Sequence, residues 1–209
     1  MKSTKSSVAE FQDALKTRAP NYGITLTDST LDRLAKYYEL LNTWNPRLHL
    51  VAPSSPKVFA TRHVLESLLL VNYLPERARV ADIGSGAGLP IIPCLIARPD
   101  ISAVLIEASK KKAIFLREAL SATAVSSGSV IAERFENLNP PEVSFVTSRA
   151  LERFEQMLPQ LISWAHRPVT LLIFGGEGLG RKIEEIGLPV EKKLIPNSDK
   201  RYLFVVNNR

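Results

Sequence analysis

The sequence predicts a doubly wound α/β fold, in which helices cover both faces of a mainly parallel sheet. From Pro75 onward, short apolar runs suited to buried strands alternate with helical stretches, which is the rhythm of βαβ units. The chain ends in two β-rich runs, at 190–195 and 202–206, which the polar segment 196–200 joins without room for a helix. We therefore expect an antiparallel hairpin at the edge of a seven-stranded sheet.

The first 75 residues differ, because their apolar residues recur every three or four positions, as in helices. We expect a loose tail at 1–7 and a first helix from Ser7. A second helix is expected to end near Trp44, where Pro46 stops it, and Ser55 caps a third helix that reaches about Tyr73. The chain thus divides into a helical extension, 1–75, packed on an α/β domain, 76–209.

The later elements follow from the same spacing argument. The expected strands before the hairpin are 79–83, 101–106, 129–132, 143–147 and 169–174. The expected helices between them are 89–98, 109–123, 151–165 and 178–186.

Composition bounds the class of protein. The chain has 209 residues, with 27 Lys and Arg against 21 Asp and Glu, and a formal net charge of +6. This charge favours a polyanionic partner. The alternative is that the charge only keeps the protein soluble and that there is no such partner. One cysteine, Cys94, forms no internal disulfide, and no apolar run approaches the roughly 18 residues of a membrane span. We expect a cytoplasmic protein without a membrane partner, and a monomer.

A glycine-rich turn follows the first strand and carries the main functional prediction. Residues 82–90 read Asp-Ile-Gly-Ser-Gly-Ala-Gly-Leu-Pro, so a strand runs into glycines and then into a helix. The third glycine, Gly88, comes one residue too early for the G-x-G-x-x-G turn of dinucleotide sites. Asp82 would repel a pyrophosphate but tolerates the sulfonium and ammonium groups of S-adenosylmethionine. Gly84, Gly86 and Gly88 are therefore predicted to hold that cofactor.

A second carboxylate supports the same cofactor. Glu107 follows the second strand, about twenty residues after the glycines, where a carboxylate accepts hydrogen bonds from both ribose hydroxyls. An acid after a strand also commonly caps the next helix, which is the alternative interpretation of Glu107. Strand order, glycines and two acids together predict a class I S-adenosylmethionine methyltransferase with a Rossmann-like sheet.

The chain also resembles the bacterial guanine-N7 methyltransferases of small-subunit (16S) ribosomal RNA, the glucose-inhibited division protein B family. The resemblance covers roughly residues 35–180. The motifs that carry it are Trp44-Asn45, Arg62-His63, Ser67-Leu68, residues 82–90, Arg98-Pro99, residues 110–117 and Ser148-Arg149-Ala150. Three positions depart from the family pattern: Glu66 replaces Asp, His49 begins an altered triplet, and no Lys precedes Gly175.

The resemblance implies further cofactor contacts, which are Gly84, Leu89, Phe135, Glu136 and Arg149. Phe135 can pack on adenine, although it can also be an ordinary core aromatic residue. Arg149 offers a guanidinium to the methionine carboxylate or to an RNA phosphate.

Basic residues are the candidates for RNA contact. The set consists of Arg62, His63, Lys110, Lys111, Lys112, Arg117 and Arg153. Each could neutralise a phosphate, but each could also belong to a solvated helix face, and His63 could be a structural histidine.

The expected chemistry requires no catalytic side chain and no metal. Guanine N7 already carries an unshared pair, so positioning in line with the methyl group suffices. Cys94 lies in an apolar helix and is predicted to be a buried packing residue. Two alternatives stay open here: a methyltransferase of this fold that acts on a small molecule or protein, and a non-catalytic RNA- or ribosome-binding relative.

Overall fold

The structure is a computed structural model, and it describes residues 4–149 and 154–208. Within these residues one seven-stranded sheet has the order β3-β2-β1-β4-β5-β7-β6. The strands are β1 Arg79–Ile83, β2 Ser102–Ile106, β3 Gly128–Ile131, β4 Phe145–Arg149, β5 Val169–Gly175, β6 Val190–Leu194 and β7 Tyr202–Asn208.

Helices surround the sheet and also make up the N-terminal region. They are α1 Thr4–Arg18, α2 Asp28–Leu48, α3 Pro56–Phe59, α4 Glu66–Leu68, α5 Ile91–Ala97, α6 Lys110–Ala122, α7 Phe154–Trp164 and α8 Glu177–Ile186. Short 3₁₀ turns occupy Ala19–Tyr22, Leu69–Asn72 and Phe135–Asn137, and a π-helical segment spans Ala60–Leu65.

The strand pairing confirms the predicted sheet. Strands β1 to β5 pair in parallel, whereas β7 pairs antiparallel with both β5 and β6. The terminal hairpin therefore exists as expected. Because β1 lies between β2 and β4, the segments that follow these three strands meet at one edge of the sheet.

Several boundaries in the sequence-based prediction were wrong, including the start of α1, the end of α2 and the position of β4. Helix α1 begins at Thr4, inside the expected loose tail. Pro46 does not stop α2, which continues to Leu48, because a proline in the last turn removes only one helical hydrogen bond. Strand β4 lies two residues later than expected, where Phe145 pairs with Val80.

The buried core consists of two clusters, one on each face of the sheet. On one face the N-terminal helices, α5 and α6 pack on residues such as Val80. On the other face α7 and α8 pack on residues such as Ala81. Successive side chains of a strand point to opposite faces, so Asp82 is directed to the same face as Val80. None of the helices in the described ranges is both long and apolar enough to span a bilayer.

Arg33 joins the N-terminal region to the helices that cover the sheet. Its guanidinium on α2 donates hydrogen bonds to the carbonyls of Thr123, Ala124 and Ile96, at 2.8, 3.3 and 3.3 Å. Two of these carbonyls follow the end of α6 and the third belongs to α5. Carbonyls at helix C-termini lack helical partners and favour a cation, so Arg33 satisfies both ends at once.

We expect Arg33→Met to lower the free energy of unfolding by about 2 kcal/mol, because charge-assisted hydrogen bonds are lost while the alkyl packing is kept. Urea denaturation measures the effect. Lys36→Met is the matched control, since Lys36 is exposed on the same helix. Equal stability of the two variants would contradict this role of Arg33.

Candidate active site

The turn after β1 has a backbone conformation that requires glycine. Gly84, Gly86 and Gly88 have φ angles of 68°, 53° and 79°. This left-handed region costs an L-residue with a side chain about 1 to 2 kcal/mol at each position. The glycine turn, residues 84–88, is therefore a conformational requirement of the chain as well as a sequence motif.

The glycines have different surroundings. A Cβ on Gly86 would meet nothing closer than the carbonyl oxygen of Gly84, at 3.6 Å. A Cβ on Gly88 would lie 2.3 Å from Cδ1 of Ile92 and 3.2 Å from Cδ2 of Leu116. Gly86 thus faces open space that a ligand can enter, whereas Gly88 allows α5 and α6 to pack against the turn.

Hydrogen bonds from three directions hold the glycine turn. The backbone N–H groups of Gly84 and Ser85 donate to the carbonyl of Ile106 at 2.9 and 3.2 Å. The Tyr37 hydroxyl, buried on α2, donates to the Ala87 carbonyl at 2.6 Å. The Ser148 hydroxyl on β4 donates to the Ile83 carbonyl at 2.9 Å. The turn is therefore fixed before any ligand binds.

Glu107 completes this support. One oxygen of its carboxylate accepts the N–H of Gly86 at 2.8 Å, and the other accepts the N–H of Ser109 at 2.8 Å. A carboxylate has about four acceptor positions, so two remain for a ligand. The side chain also lines a cavity beside the turn. Glu107 thus holds the chain directly before α6, which Ser109 caps, and it keeps free acceptor positions.

Two cavities meet at the turn, where they share Gly84 and Ala108. The Phe135 cavity, of about 530 Å³, lies between the ends of β1 and β2 and helix α7, and its lining includes Phe135, Glu136 and Met157. The His63 cavity has about 490 Å³. Its walls are formed by Leu50, Val51, Ala52, His63, Ser85, Gly86, Ala87, Leu89, Glu107, Lys112 and Arg149 in addition to the shared residues.

Phe135 is buried and also packs on a second aromatic ring. Its centroid lies 5.5 Å from that of Trp164, in an edge-to-face arrangement. The indole N–H of Trp164 donates to the Leu138 carbonyl at 2.7 Å, which fixes that ring. Glu136 forms an ion pair with Arg134 at 2.8 Å. The aromatic wall of the Phe135 cavity is therefore held in place, while both predicted residues remain at its surface.

Asp82 lies beneath the turn and is fully buried. Neither carboxylate oxygen has a hydrogen-bond partner among the described residues. Burial, together with the nearby Glu107, raises the pKa of Asp82 to about 7. A buried carboxylate without a partner is costly unless a cation comes close. This environment suits a ligand that carries positive charge.

Arg149 is already engaged inside the protein. Its guanidinium forms an ion pair with Glu66 at 3.0 Å and donates to the carbonyls of Arg62 and His63 and to the Ser67 hydroxyl. It also lies over the ring of Phe174, 5.4 Å from the centroid. The predicted contact with a ligand carboxylate or phosphate is untested, and the side chain reaches the His63 cavity with most donors in use.

Of the basic residues predicted to contact RNA, His63 and Lys112 line the His63 cavity. Arg62, Lys110 and Lys111 are exposed, and Lys112 is half-buried in the cavity wall. Arg117 is exposed and donates to the Val130 carbonyl at 3.1 Å. Arg153 lies outside the described residues. Cys94 is fully buried in α5, as predicted, and its thiol donates to the Ser67 carbonyl at 3.3 Å.

Sequence reasoning missed the segment 50–52, which forms one wall of the His63 cavity. Asn45 fixes this segment, because its side-chain amide donates to the Val51 carbonyl and accepts the Val51 N–H, both at 3.0 Å. The Trp44-Asn45 motif was the available signal. Tyr37 and Arg201 were also missed, since a contact 50 or 135 positions away leaves no local pattern.

Fold and site together define a class I S-adenosylmethionine-dependent methyltransferase. The glycine turn, with the unpaired carboxylate of Asp82 and the carboxylate of Glu107 close to it, fits that cofactor. Solved structures agree on the fold. A SAM-dependent methyltransferase from Aquifex aeolicus matches with a TM-score of 0.55 and 15% identity, over 82% of this chain and 98% of that one. TYW2 of M. jannaschii, solved with AdoMet, matches with a TM-score of 0.53 and 14% identity, over 69% and 74%.

The chain belongs to the GidB family, whose model, rRNA small subunit methyltransferase G, matches residues 30–185. Curated relatives carry the name ribosomal RNA small subunit methyltransferase G. The protein of Sorangium cellulosum is 34% identical over 170 residues, which are 78% of this chain and 71% of the relative. That of Neisseria meningitidis serogroup B is 28% identical over 213 residues, 96% and 100% of the two chains. The resemblance seen in the sequence is thereby confirmed.

Substituting Gly86 and Gly88 separately should distinguish a glycine that leaves room for a ligand from one that leaves room for a neighbouring side chain. We expect Gly86→Ala to weaken S-adenosylmethionine binding about tenfold and to cost about 1 kcal/mol of stability, since only the backbone is strained. Gly88→Ala should lower the free energy of unfolding by about 3 kcal/mol, because its Cβ overlaps Ile92. Calorimetric titration and urea denaturation measure the two effects. Equal destabilisation by both variants would contradict this difference.

The raised pKa of Asp82 predicts a pH dependence. In the folded protein this pKa is about 7, whereas in the unfolded chain it is about 4. The unfolded chain therefore loses the proton first, and the contribution of protonated Asp82 to the free energy of unfolding is lost as the pH rises from about 4 to about 7. Relative to the wild type, Asp82→Asn without cofactor should gain about 3 kcal/mol of stability between pH 5 and pH 8. Urea denaturation at both pH values measures the difference in free energy of unfolding between the variant and the wild type. If this difference is the same at both pH values, the raised pKa of Asp82 is refuted.

Proposed function

We propose that this protein transfers a methyl group from S-adenosylmethionine to N7 of a guanine in small-subunit ribosomal RNA. The observation that carries the proposal is the His63 cavity, which is lined by the glycine turn and by Lys112, with the exposed Lys110 and Lys111 directly before Lys112 in the chain. The family match favours RNA as the substrate over a small molecule or a protein.

The proposed roles divide between the two cavities. Phe135 would pack on adenine, with Glu136 nearby, and Glu107 would accept both ribose hydroxyls through its free acceptor positions. The backbone of Gly84, Gly86 and Leu89 would lie along the methionine portion of the cofactor. Asp82 would lower the energy of the cationic centre from beneath the turn.

When bound, S-adenosylmethionine supplies an activated methyl group. The chain then has only to hold the guanine at near-attack distance, because N7 needs no deprotonation. Among the described residues that line the His63 cavity there is no cysteine to act as a nucleophile toward a base carbon. Positioning by the cavity walls is therefore the proposed source of catalysis.

The exposed cations would hold the RNA backbone. We place Arg62, Lys110, Lys111 and Arg117 against phosphates and Lys112 at the cavity entrance. Arg153, outside the described residues, stays a candidate for the same role. We further propose that the protein acts as a cytoplasmic monomer in which 1–75 is a helical extension of the catalytic domain 76–209.

The test is methyl transfer from labelled S-adenosylmethionine to naked small-subunit ribosomal RNA and to the small subunit. We expect label at one guanine, which borohydride reduction and aniline cleavage map as N7-methylguanine. Gly86→Ala is the control and should label more slowly at limiting cofactor, with the difference shrinking at saturation. Absence of label on every RNA form, with cofactor binding intact, would refute the substrate assignment.

A further inference from the structure

The π-helical segment Ala60–Leu65 interrupts the helical stretch that runs from Pro56 to Asn72. Within it the N–H of Glu66 bonds the carbonyl of Thr61, five residues back. Such insertions are rare and occur often at functional sites. The carbonyls of Arg62 and His63 accept hydrogen bonds from the guanidinium of Arg149, so contacts from β4 stabilise the irregular turn.

The consequence of this irregular turn is the position of His63. The residue lines the His63 cavity together with residues of the glycine turn. One side of the ring packs on Phe59, with centroids 5.0 Å apart. Neither ring nitrogen forms a hydrogen bond to any residue in the described part of the chain, and the residue is half-buried. A polar ring held in a cavity without a partner is available to a ligand.

The charges around His63 decide its protonation state. Burial, followed by Arg149, Arg62 and Arg201, lowers the pKa of His63 to about 4. Glu66 is also close, but both of its oxygens already pair with Arg149 and Arg201, at 3.0 and 2.7 Å. The ring is therefore neutral at pH 7 and offers one acceptor nitrogen and one N–H. It does not supply the positive charge for a phosphate that the sequence suggested.

We propose that His63 selects guanine by accepting a hydrogen bond from the N1–H or the 2-amino group of the target base. This inference rests on the proposed function. Guanine presents these donors on its Watson–Crick edge, whereas N7 lies on a different edge. A base held by His63 can therefore direct N7 toward the glycine turn. Adenine has neither donor and would leave the acceptor nitrogen unpaired, which makes such a contact selective.

The role of Arg149 follows from the same contacts. Because it bonds the carbonyls of residues 62 and 63, it acts as a positioning residue for the histidine. Glu66 balances its charge from a site with 1% exposure. Arg201, on the segment between β6 and β7, shares the carboxylate and adds a second positive charge. Burial above all, and then Arg149, Arg62 and Arg201, lower the pKa of His63, so the imidazole is a hydrogen-bond acceptor at pH 7.

The test compares the full-length wild type with His63→Phe, which keeps a ring and removes the acceptor, and with His63→Gln, which restores an acceptor oxygen. His166→Phe is the matched control, because His166 is exposed. Each protein is assayed on RNA that carries guanine, inosine or 2-aminopurine at the mapped position. Inosine lacks the 2-amino group, and 2-aminopurine lacks N1–H.

We expect His63→Phe to lower kcat/KM on guanine RNA about 10- to 100-fold, as for the loss of one hydrogen bond. Binding of S-adenosylmethionine and the melting temperature should stay near the wild-type values, and His63→Gln should recover part of the rate. For the wild type, at least one of the two analogues should lower kcat/KM by a similar factor relative to guanine RNA. For His63→Phe, the same analogue should lower kcat/KM no further.

An unchanged rate for His63→Phe, or an analogue penalty as large in that variant as in the wild type, would overturn the assignment. Loss of cofactor binding or of stability in both histidine variants would indicate a structural residue and would overturn it as well. These outcomes differ from failure of the proposed function, in which the wild type itself would form no N7-methylguanine. That result would remove both proposals.

Discussion

The glycine turn after β1 is the constraint on which the rest of the site depends. Three glycines adopt left-handed conformations, of which Gly86 leaves open space where a side chain would otherwise stand and Gly88 makes room for Ile92. The turn is held by Ile106 at the end of β2, by Glu107 directly after it, by Ser148 on β4 and by Tyr37 on α2. Because these contacts come from separate elements, the turn keeps its shape only within the complete fold. The two cavities and their walls are arranged around it.

A second interaction, the ion-pair cluster around Glu66, joins α4 to the end of β4 and to the segment before β7. The buried carboxylate of Glu66 pairs with Arg149 at the end of β4 and with Arg201 before β7. Two guanidinium groups on one carboxylate leave a net positive charge, and the Nε atom of Arg201 is buried without a partner among the described residues. Removing one member of such a cluster leaves the other charges buried without a partner. The cluster therefore fixes the geometry of these segments more than it adds to the free energy of unfolding. Glu66 is thus the centre of the cluster.

Much of the fold could be predicted because its signals are local. The parallel strands and the terminal hairpin follow from apolar runs and from the length of the connections between them. The burial of Cys94 follows from its apolar neighbours. The π-helical segment did not follow, because its carbonyls are held by Arg149, more than 80 residues away in the chain. Gly88 shows the same limit within a motif, since sequence gives no means to separate a glycine that admits a ligand from one that admits Ile92.

The order of residues along the chain determined the class of this protein. Strand periodicity, three glycines and two acids at fixed spacing define a sheet and a cofactor turn, because each is set by neighbours within a few positions. Only the tertiary structure decided the state of the individual groups. It buries Asp82 without a partner, occupies most donors of Arg149 and surrounds His63 with arginines from three segments. Protonation and availability are properties of the whole electrostatic environment, and that environment exists only after distant segments have packed together.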